Sequence, residues 1–196
     1  KRAREVIAAA IAGTEGKIPV SVKTRLGFNT IEYRQWLPNL LDTGISALTL
    51  HMRTRKEMSK VKAHWELGAE VVSFCRDINR EVKLLGNGDV ESTAEAKDKA
   101  LAYGFDGIML GRAIFGNPWV FAGRLPSTLT SEERLTSLLL LAKKFDEKRK
   151  KKHYAILKKH FKAFVSGYDG AAELRGKLME TNSLPELEEI IGSVQK

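Results

Sequence analysis

Two glycine-bearing segments, each following a short apolar run, carry residues suited to binding an anion. The segment "GNGD" (86–89) follows two leucines, and "LGRAIFGNP" (110–118) follows "GIM". Glycine lets phosphate oxygens approach backbone N–H groups because it has no Cβ. Arg112 would add a charge-assisted hydrogen bond. Together the segments indicate a phosphate site, whereas each glycine pair alone is equally typical of a tight turn.

Lys23 and His51 also lie at or near the ends of apolar runs, "VSVKTR" and "LTLH". A lysine that points into a protein interior is costly unless it meets an anion, so Lys23 either faces solvent or contacts a cofactor. A lone histidine is often a hydrogen-bonded core residue. Its position level with Lys23 and the glycine segments makes a place in the same site the alternative.

Other kinds of site find no support in the sequence. Neither a zinc-type Cys/His spacing nor a GxGxxG or GxxxxGK[ST] motif occurs, and no metal site is predicted. The single cysteine, Cys75, lies on the apolar face of a helical run and is predicted to be a core residue. One cysteine and no apolar run near 18 residues predict a cytoplasmic protein without a membrane segment.

Four β-rich runs must position these residues, and each is followed by a polar turn and a helical pattern. They are "PVSVKTRLG" (19–27), "ALTLHMR" (47–53), "VKLLGNG" (82–88) and "GIMLGR" (107–112). Such βα units require parallel neighbours and right-handed crossovers. An open doubly wound sheet is one solution. Polar residues at the end of every strand favour an α/β fold that is half of a (β/α)8 TIM barrel, with four βα units.

A small helical bundle is predicted to follow. Thr130 and Glu133 form a capping box before an apolar stripe, and Ser183-Leu184-Pro185-Glu186 opens a last helix. Between them, a single helix is predicted before Gly167, with an apolar face formed by Ile156, Leu157, Phe161, Phe164 and Val165. The predicted domains are therefore residues 1–126, the barrel half, and residues 127–196, the helical domain.

Positive charge is concentrated in the predicted helical domain. Residues 143–162 contain ten Lys or Arg and two Asp or Glu, whereas residues 1–126 contain 19 and 14. So dense a positive field favours a polyanionic partner such as nucleic acid. A solvated helix face that aids solubility is the alternative.

Four motifs in this order resemble the carboxy-terminal half of the flavin-dependent tRNA-dihydrouridine synthases. They are "VSVKTRLG", "LTLHMRTR", "LLGNGDV" and "GFDGIMLGRAIFGNPWVF", and the resemblance is strong over about residues 17–124. The tail "KKHFKAFVSGYDGAAELRGKLMET" is similar to the family's tRNA-contacting helical domain.

The resemblance implies FMN- and NADPH-dependent reduction of uridine to 5,6-dihydrouridine in tRNA, by an enzyme that is a monomer at full length. It assigns cofactor binding to Lys23, His51, Asn87, Gly88, Asp89, Gly111 and Arg112. It assigns RNA contacts to Arg53, Arg55, Lys158, Lys159 and Arg175.

The sequence departs from the family in two places. After its HxRTR motif the family usually has Tyr-x-Gly and Asp-Trp, whereas here the loop reads "KEMSKVKAHWELG". The family's first four strands, with a Pro-Met-x-Gly flavin motif and the active-site cysteine, are expected upstream. No catalytic residue is therefore assigned in this chain, which is expected to be inactive alone. The alternatives are a barrel oxidoreductase that binds phosphate or flavin and acts on a small molecule, and a non-catalytic RNA-binding fragment.

Overall fold

The computed structural model describes residues 1–148 and 153–194. Its sheet contains four parallel strands in the order β1-β2-β3-β4. Helices alternate with these strands, which confirms the α/β class and the βα rhythm of a partial TIM barrel. The strands are β1 (Ser21–Gly27), β2 (Ala47–Thr54), β3 (Lys83–Asn87) and β4 (Gly107–Met109). The helices are α1 (Arg2–Gly13), α2 (Tyr33–Trp36), α3 (Pro38–Leu41), α4 (Gly68–Ile78) and α5 (Thr93–Tyr103), with a 3-10 turn at Trp65–Leu67.

The two faces of the sheet differ in polarity because side chains alternate along a strand. On β2, Leu48, Leu50 and Met52 are fully buried and join one apolar core with side chains of the helices. The alternate residues, Thr49, His51 and Arg53, belong to the opposite face. That face carries the polar residues, so the core of this unit lies between the sheet and its helices.

Local signals determine where the helices of this unit begin and end. The Ser92 hydroxyl accepts a hydrogen bond from the Glu95 N–H at 3.1 Å and so caps the start of α5. Gly104 ends α5 at φ 77°, in the left-handed region that glycine adopts without a Cβ penalty. Pro38 is at the first position of α3, where its missing N–H costs nothing.

The second unit has its own apolar core, formed by five helices. The Thr130 capping box is confirmed by reciprocal hydrogen bonds with Glu133, of 2.9 and 3.1 Å. The single helix predicted before Gly167 is in fact two short helices, with Lys159 and His160 between them. The helices are α6 (Ser131–Lys148), α7 (Ala155–Lys158), α8 (Phe161–Phe164), α9 (Ala171–Glu180) and α10 (Leu184–Val194), after 3-10 turns at Arg112–Ile114, Val120–Ala122 and Pro126–Thr128.

The chain divides into two compact units, Lys1–Arg112 and Ala113–Lys196. The boundary between them follows Arg112, whereas the sequence predicted it after residue 126. The physical reason lies in the segment after Arg112. Gly116 packs against the backbone of Ala163, and the Asn117 side-chain amide donates to the Arg124 carbonyl at 2.7 Å. These contacts place residues 113–126 with the helices. The functions predicted for the two domains stay predictions.

Two further features bear on the sequence-based predictions. No helix in residues 1–148 and 153–194 is long and apolar enough to cross a membrane. Part of the basic run, residues 149–152, lies outside the described residues, so the structure places only the flanking parts of that run.

Candidate anion and cofactor site

The parallel register aligns polar residues from neighbouring strands at the carboxyl ends of the sheet. Arg25 pairs with His51, and His51 pairs with Asn87, so these three residues are level across three strands. Lys23 lies two residues earlier on β1, opposite Thr49 and on the same face. The structure therefore brings together residues that are far apart in sequence, on the polar face of the sheet.

Two cations on β1 have no carboxylate partner within 4 Å among the described residues. The Arg25 guanidinium donates only to backbone carbonyls, those of Thr54 at 2.8 Å and Met58 at 3.1 Å. Lys23 forms neither an ion pair nor a hydrogen bond there, and burial together with the charge of Arg25 lowers its pKa. An anionic ligand would relieve this repulsion, which makes the position suited to a phosphate or another anion.

His51 is half-buried and neutral at physiological pH. Burial, followed by the positive charges of Arg25, Lys23 and Arg53, lowers its pKa from 6.5 to about 4, and Asp89 opposes the shift only weakly. Its Nε2 lies 3.1 Å from the Arg53 Nη1, which can only donate, so we assign this nitrogen as the acceptor. His51 can thus take part in hydrogen bonding without adding charge.

We expect the His51 imidazole to titrate near pH 4 in an NMR experiment. Because its folded-state pKa lies below its unfolded value, the unfolded chain binds the proton first as the pH falls below 6.5. His51 therefore contributes a loss of stability between pH 6.5 and about 4, and none above. The variant His51→Gln should show a smaller loss in that window. A His51 midpoint near 6.5 would contradict this assignment.

Asn87 and Gly88 shape the end of β3. The Asn87 side-chain amide donates to the Met109 carbonyl at 2.7 Å, and its Oδ1 forms no hydrogen bond with the described residues, which leaves it available to accept one. Gly88 has φ 134°, and a Cβ there would lie 2.8 Å from the Ala63 Cβ and 3.3 Å from the His51 ring. The Gly88 carbonyl accepts a bond of 2.9 Å from the Trp65 indole. Glycine is therefore required here by close packing.

Asp89 links two arginines at the strand ends. It pairs with Arg53, accepts from Arg112 at 2.8 Å and accepts from the Ala63 N–H at 3.1 Å. Burial opposes its ionisation, but the hydrogen bonds from Arg53 and Ala63 and the two arginine charges outweigh burial and lower its pKa. Asp89 therefore positions Arg112, whose side chain is 68% exposed and accessible to a ligand.

The environment of Arg53 differs from the prediction that it contacts RNA. Its side chain is 3% exposed, and it donates to Asp89, to the Val61 carbonyl at 2.7 Å and to His51. Because these partners bury the Arg53 guanidinium, a polyanion cannot reach it. Asp89 neutralises its charge, and Arg53 connects Asp89 with His51 and the Val61 carbonyl inside the protein.

The other residues predicted to contact a ligand differ in exposure and in whether they already have a hydrogen-bond partner. Gly111 is exposed, and a Cβ there would meet nothing within 4 Å. Arg55 is exposed, as is Lys159. Lys158 donates to the Met179 carbonyl at 2.7 Å, and Arg175 donates to the Val165 carbonyl at 2.9 Å, so both have backbone partners within the second unit.

Sequence reasoning did not assign a role to Arg25 or recognise an ionic cluster in the loop after β2. His64 bridges Glu57 and Glu66 at 2.9 Å on each side, and the hydrogen bond that it donates to Glu57 is the main cause of its raised pKa. Glu57 also accepts from the Thr54 N–H at 2.7 Å, which fixes the start of the loop. The only sequence signal was that His64 occurs where the family usually has a different residue.

Cys75 is fully buried, as predicted, and burial raises its thiol pKa to about 12. A thiol in this environment is a poor acid or nucleophile at neutral pH. Within residues 1–148 and 153–194, no group of three or more His, Cys, Asp or Glu side chains could hold a metal ion.

A sheet of four parallel strands that alternate with helices and carry polar residues at their carboxyl ends is the arrangement of a partial TIM barrel, a class of fold whose sites lie at that end. Within that class, the family described as "Dihydrouridine synthase (Dus)" matches residues 3–194, and the chain belongs to this family.

Curated relatives agree with the family assignment. A probable tRNA-dihydrouridine synthase from Staphylococcus epidermidis is 42% identical over 98% of this chain and 59% of its own length. Probable tRNA-dihydrouridine synthase 2 from Bacillus subtilis is 40% identical over 99% of this chain and 59% of its own length. A probable tRNA-dihydrouridine synthase from Staphylococcus aureus is 42% identical over 94% and 56%. The chain thus spans less than two thirds of the length of these relatives.

Proposed function

We propose that this chain forms part of an FMN-dependent enzyme that uses NADPH to reduce uridine in tRNA to 5,6-dihydrouridine. The observation that carries the proposal is a pair of cations on β1, Lys23 and Arg25, that have no carboxylate partner among the described residues, with Arg25 level with a neutral His51 on β2. Family membership supports the reaction, and the names of the relatives, tRNA-dihydrouridine synthases, support tRNA as the substrate.

The residues at the strand ends fit a flavin phosphate and its polar ring. Lys23 offers a positive charge without a carboxylate partner, and the Asn87 Oδ1 is an unused acceptor. Only glycine fits the backbone conformation and the close packing at position 88. Asp89 holds the exposed Arg112 side chain through an ion pair. FMN, when bound and reduced by NADPH, would supply the hydride that reduces the C5=C6 bond of uridine. The residues that would hold it are Lys23, His51, Asn87, Gly88, Asp89, Gly111 and Arg112.

The chain's own side chains contribute binding and orientation. Lys23 and Arg25 attract anions and disfavour additional positive charge nearby. His51 stays neutral, so it can hydrogen bond to a ligand without repelling these cations. Asp89 neutralises the buried charge of Arg53, and it holds Arg112 in a position to bind a phosphate. Cys75 is not the acid that protonates the uridine ring, because it is buried and its pKa is about 12.

Recognition of tRNA is proposed to use the exposed cations of both units. Arg55 and Lys159 are exposed, and the flanks of the basic run include Lys143 and Lys144, each paired with a glutamate at 3.0 Å. Phosphates can replace such exposed glutamate partners, because surface ion pairs contribute little. Counterion release on phosphate binding would then drive association.

Two titrations test the proposal, one of FMN with a protein as long as the relatives and one of tRNA with this chain, because this chain alone is expected to hold FMN weakly or not at all. FMN binding, followed by quenching of flavin fluorescence, should be weakened by Lys23→Met and unaffected by Lys97→Met, a matched change at an exposed lysine on α5. Binding of tRNA should lose about a thousandfold or more in affinity between about 50 and 200 mM salt if six or more phosphates are contacted.

The outcomes separate the alternatives. FMN binding without salt-dependent tRNA binding would indicate a small-molecule oxidoreductase. Binding of tRNA alone, with no flavin bound even by a protein as long as the relatives, would indicate a non-catalytic RNA-binding chain. Equal effects of Lys23→Met and Lys97→Met would remove Lys23 from the cofactor site.

A further inference from the structure

An exposed aromatic side chain stands beside the strand-end site. Phe28 directly follows β1 and is 59% exposed. The guanidinium carbon of Arg55, which directly follows β2, lies 5.4 Å from the centre of the Phe28 ring. Arg55 forms no ion pair with the described residues. An aromatic ring and a guanidinium in cation–π contact therefore face solvent at the ends of two neighbouring strands.

The backbone holds this pair in place. The Arg55 N–H donates to the Gly27 carbonyl, and the Lys56 N–H donates to the Phe28 carbonyl, both at 2.9 Å. These bonds continue the pairing of β1 with β2 beyond the last residues of the two strands. The Phe28 N–H donates to the Glu32 carboxylate at 3.0 Å. Both side chains thus start from a fixed backbone, which lowers the entropy lost when a ligand binds.

The surroundings favour an anionic partner. The loop after β2 carries Arg55, Lys56, Lys60 and Lys62, and its one acid, Glu57, is engaged by His64 and by the Thr54 N–H. Glu32 also lies at this edge, and one of its carboxylate oxygens accepts from the Phe28 N–H. An apolar protein partner would have to bury the uncompensated lysines, whereas a nucleic acid would neutralise them.

A cleft adjoins the pair and has the size of a nucleotide site. Its volume is about 660 Å³, and Lys23, Arg25, Phe28 and Arg55 are among its lining residues. Small-ligand sites are typically about 300–1,000 Å³. One edge of the cleft thus offers an aromatic face for a base, with the Arg55 guanidinium beside it for the attached phosphate.

We propose that Phe28 and Arg55 form a stacking platform for an unpaired nucleobase of bound RNA. Base–aromatic stacking tolerates different bases, while arginine adds attraction to the ring and to the phosphate. The inference rests on the RNA-binding part of the proposed function and extends it, because the platform selects unpaired RNA over a duplex whose bases are already stacked.

Fluorescence anisotropy with labelled oligouridylate tests the platform in this chain. Phe28→Ala should weaken binding about tenfold, the scale of losing one base–aromatic stack, and Phe28→Trp should retain affinity. An oligomer of the same length with abasic sugars should bind wild type and Phe28→Ala equally. Arg55→Lys, which keeps the charge and loses the planar group, should fall between wild type and Arg55→Ala.

Phe121→Ala is the matched control, since Phe121 is 71% exposed in the other unit, and it should bind like wild type. Circular dichroism and size-exclusion chromatography should show Phe28→Ala folded and unchanged in oligomeric state. Unchanged oligouridylate affinity in Phe28→Ala would overturn the inference. So would an equal effect on the abasic oligomer, an altered oligomeric state, or uridine monophosphate binding as tightly as the oligomer.

The outcome for the platform is independent of the flavin test. If Phe28→Ala loses oligouridylate while no FMN binding is found, the platform stands and the flavin proposal falls. If Lys23→Met loses FMN while Phe28→Ala binds RNA normally, the proposed function stands and only the platform is wrong.

Discussion

Asp89→Ala is expected to lower the free energy of unfolding of the first unit by about 3 kcal/mol or more, because it leaves a buried charge without its partner. Arg53, the residue left behind, has a side chain that is 3% exposed. Its remaining partners, the Val61 carbonyl and His51, carry no negative charge. Urea unfolding followed by circular dichroism and tryptophan fluorescence measures the loss.

Two further variants identify the cause of that loss. Arg112→Met removes only the exposed partner of Asp89 and should cost about 1 kcal/mol or less. The double variant Arg53→Met with Asp89→Asn removes both members of the buried pair and should recover much of the stability lost in Asp89→Ala. If Asp89→Ala costs no more than Arg112→Met, the ion pair with Arg53 is not a main support of the strand ends.

Gly116→Ala is expected to destabilise the second unit by a comparable amount, about 3 kcal/mol, from overpacking and an unfavourable backbone conformation together. Gly116 has φ 73°, and a Cβ there would overlap the Ala163 carbonyl, lying 2.6 Å from its carbon and closer still to its oxygen. The obstacle is backbone, so rotation of a side chain cannot relieve it. Thermal and urea unfolding of the variant give the loss.

Gly123→Ala separates the two contributions to that loss. Gly123 has nearly the same backbone conformation, φ 79°, but its Cβ would meet nothing within 4 Å. It should therefore lose only about 1 kcal/mol, the cost of the left-handed conformation. Equal losses in Gly116→Ala and Gly123→Ala would show that the contact with Ala163 is unimportant.

Gly116 also illustrates a long-range contact that a local sequence motif does not indicate. The segment "LGRAIFGNP" was interpreted as a phosphate-binding strand end on the strength of its glycines. The structure divides this segment between the two units, with Gly111 and Arg112 in the first and Gly116 in the second. Only the first pair remains a candidate for phosphate. Gly116 packs against a residue 47 positions away (163 − 116), which no local pattern reveals.

Most of the secondary structure followed from local physics. The Ser92 and Thr130 caps, the left-handed Gly104 and the early Pro38 act through neighbours within a few residues, so the sequence could predict them. The fourth strand is shorter than predicted and ends at Met109. The one helix predicted before Gly167 is interrupted after α7, a break that its apolar pattern did not indicate.

By itself the sequence determined the α/β class, the polar strand ends and the family, because these depend on alternation along each strand and on local motifs. Only the tertiary structure decided how far each polar residue is buried and which residues it contacts. Arg53 is buried because Asp89, 36 residues away, neutralises it, and Phe28 stays exposed beneath Arg55. Burial and charge pairing depend on such distant neighbours, so residues of the same type, Arg53 and Arg55, have opposite environments two positions apart.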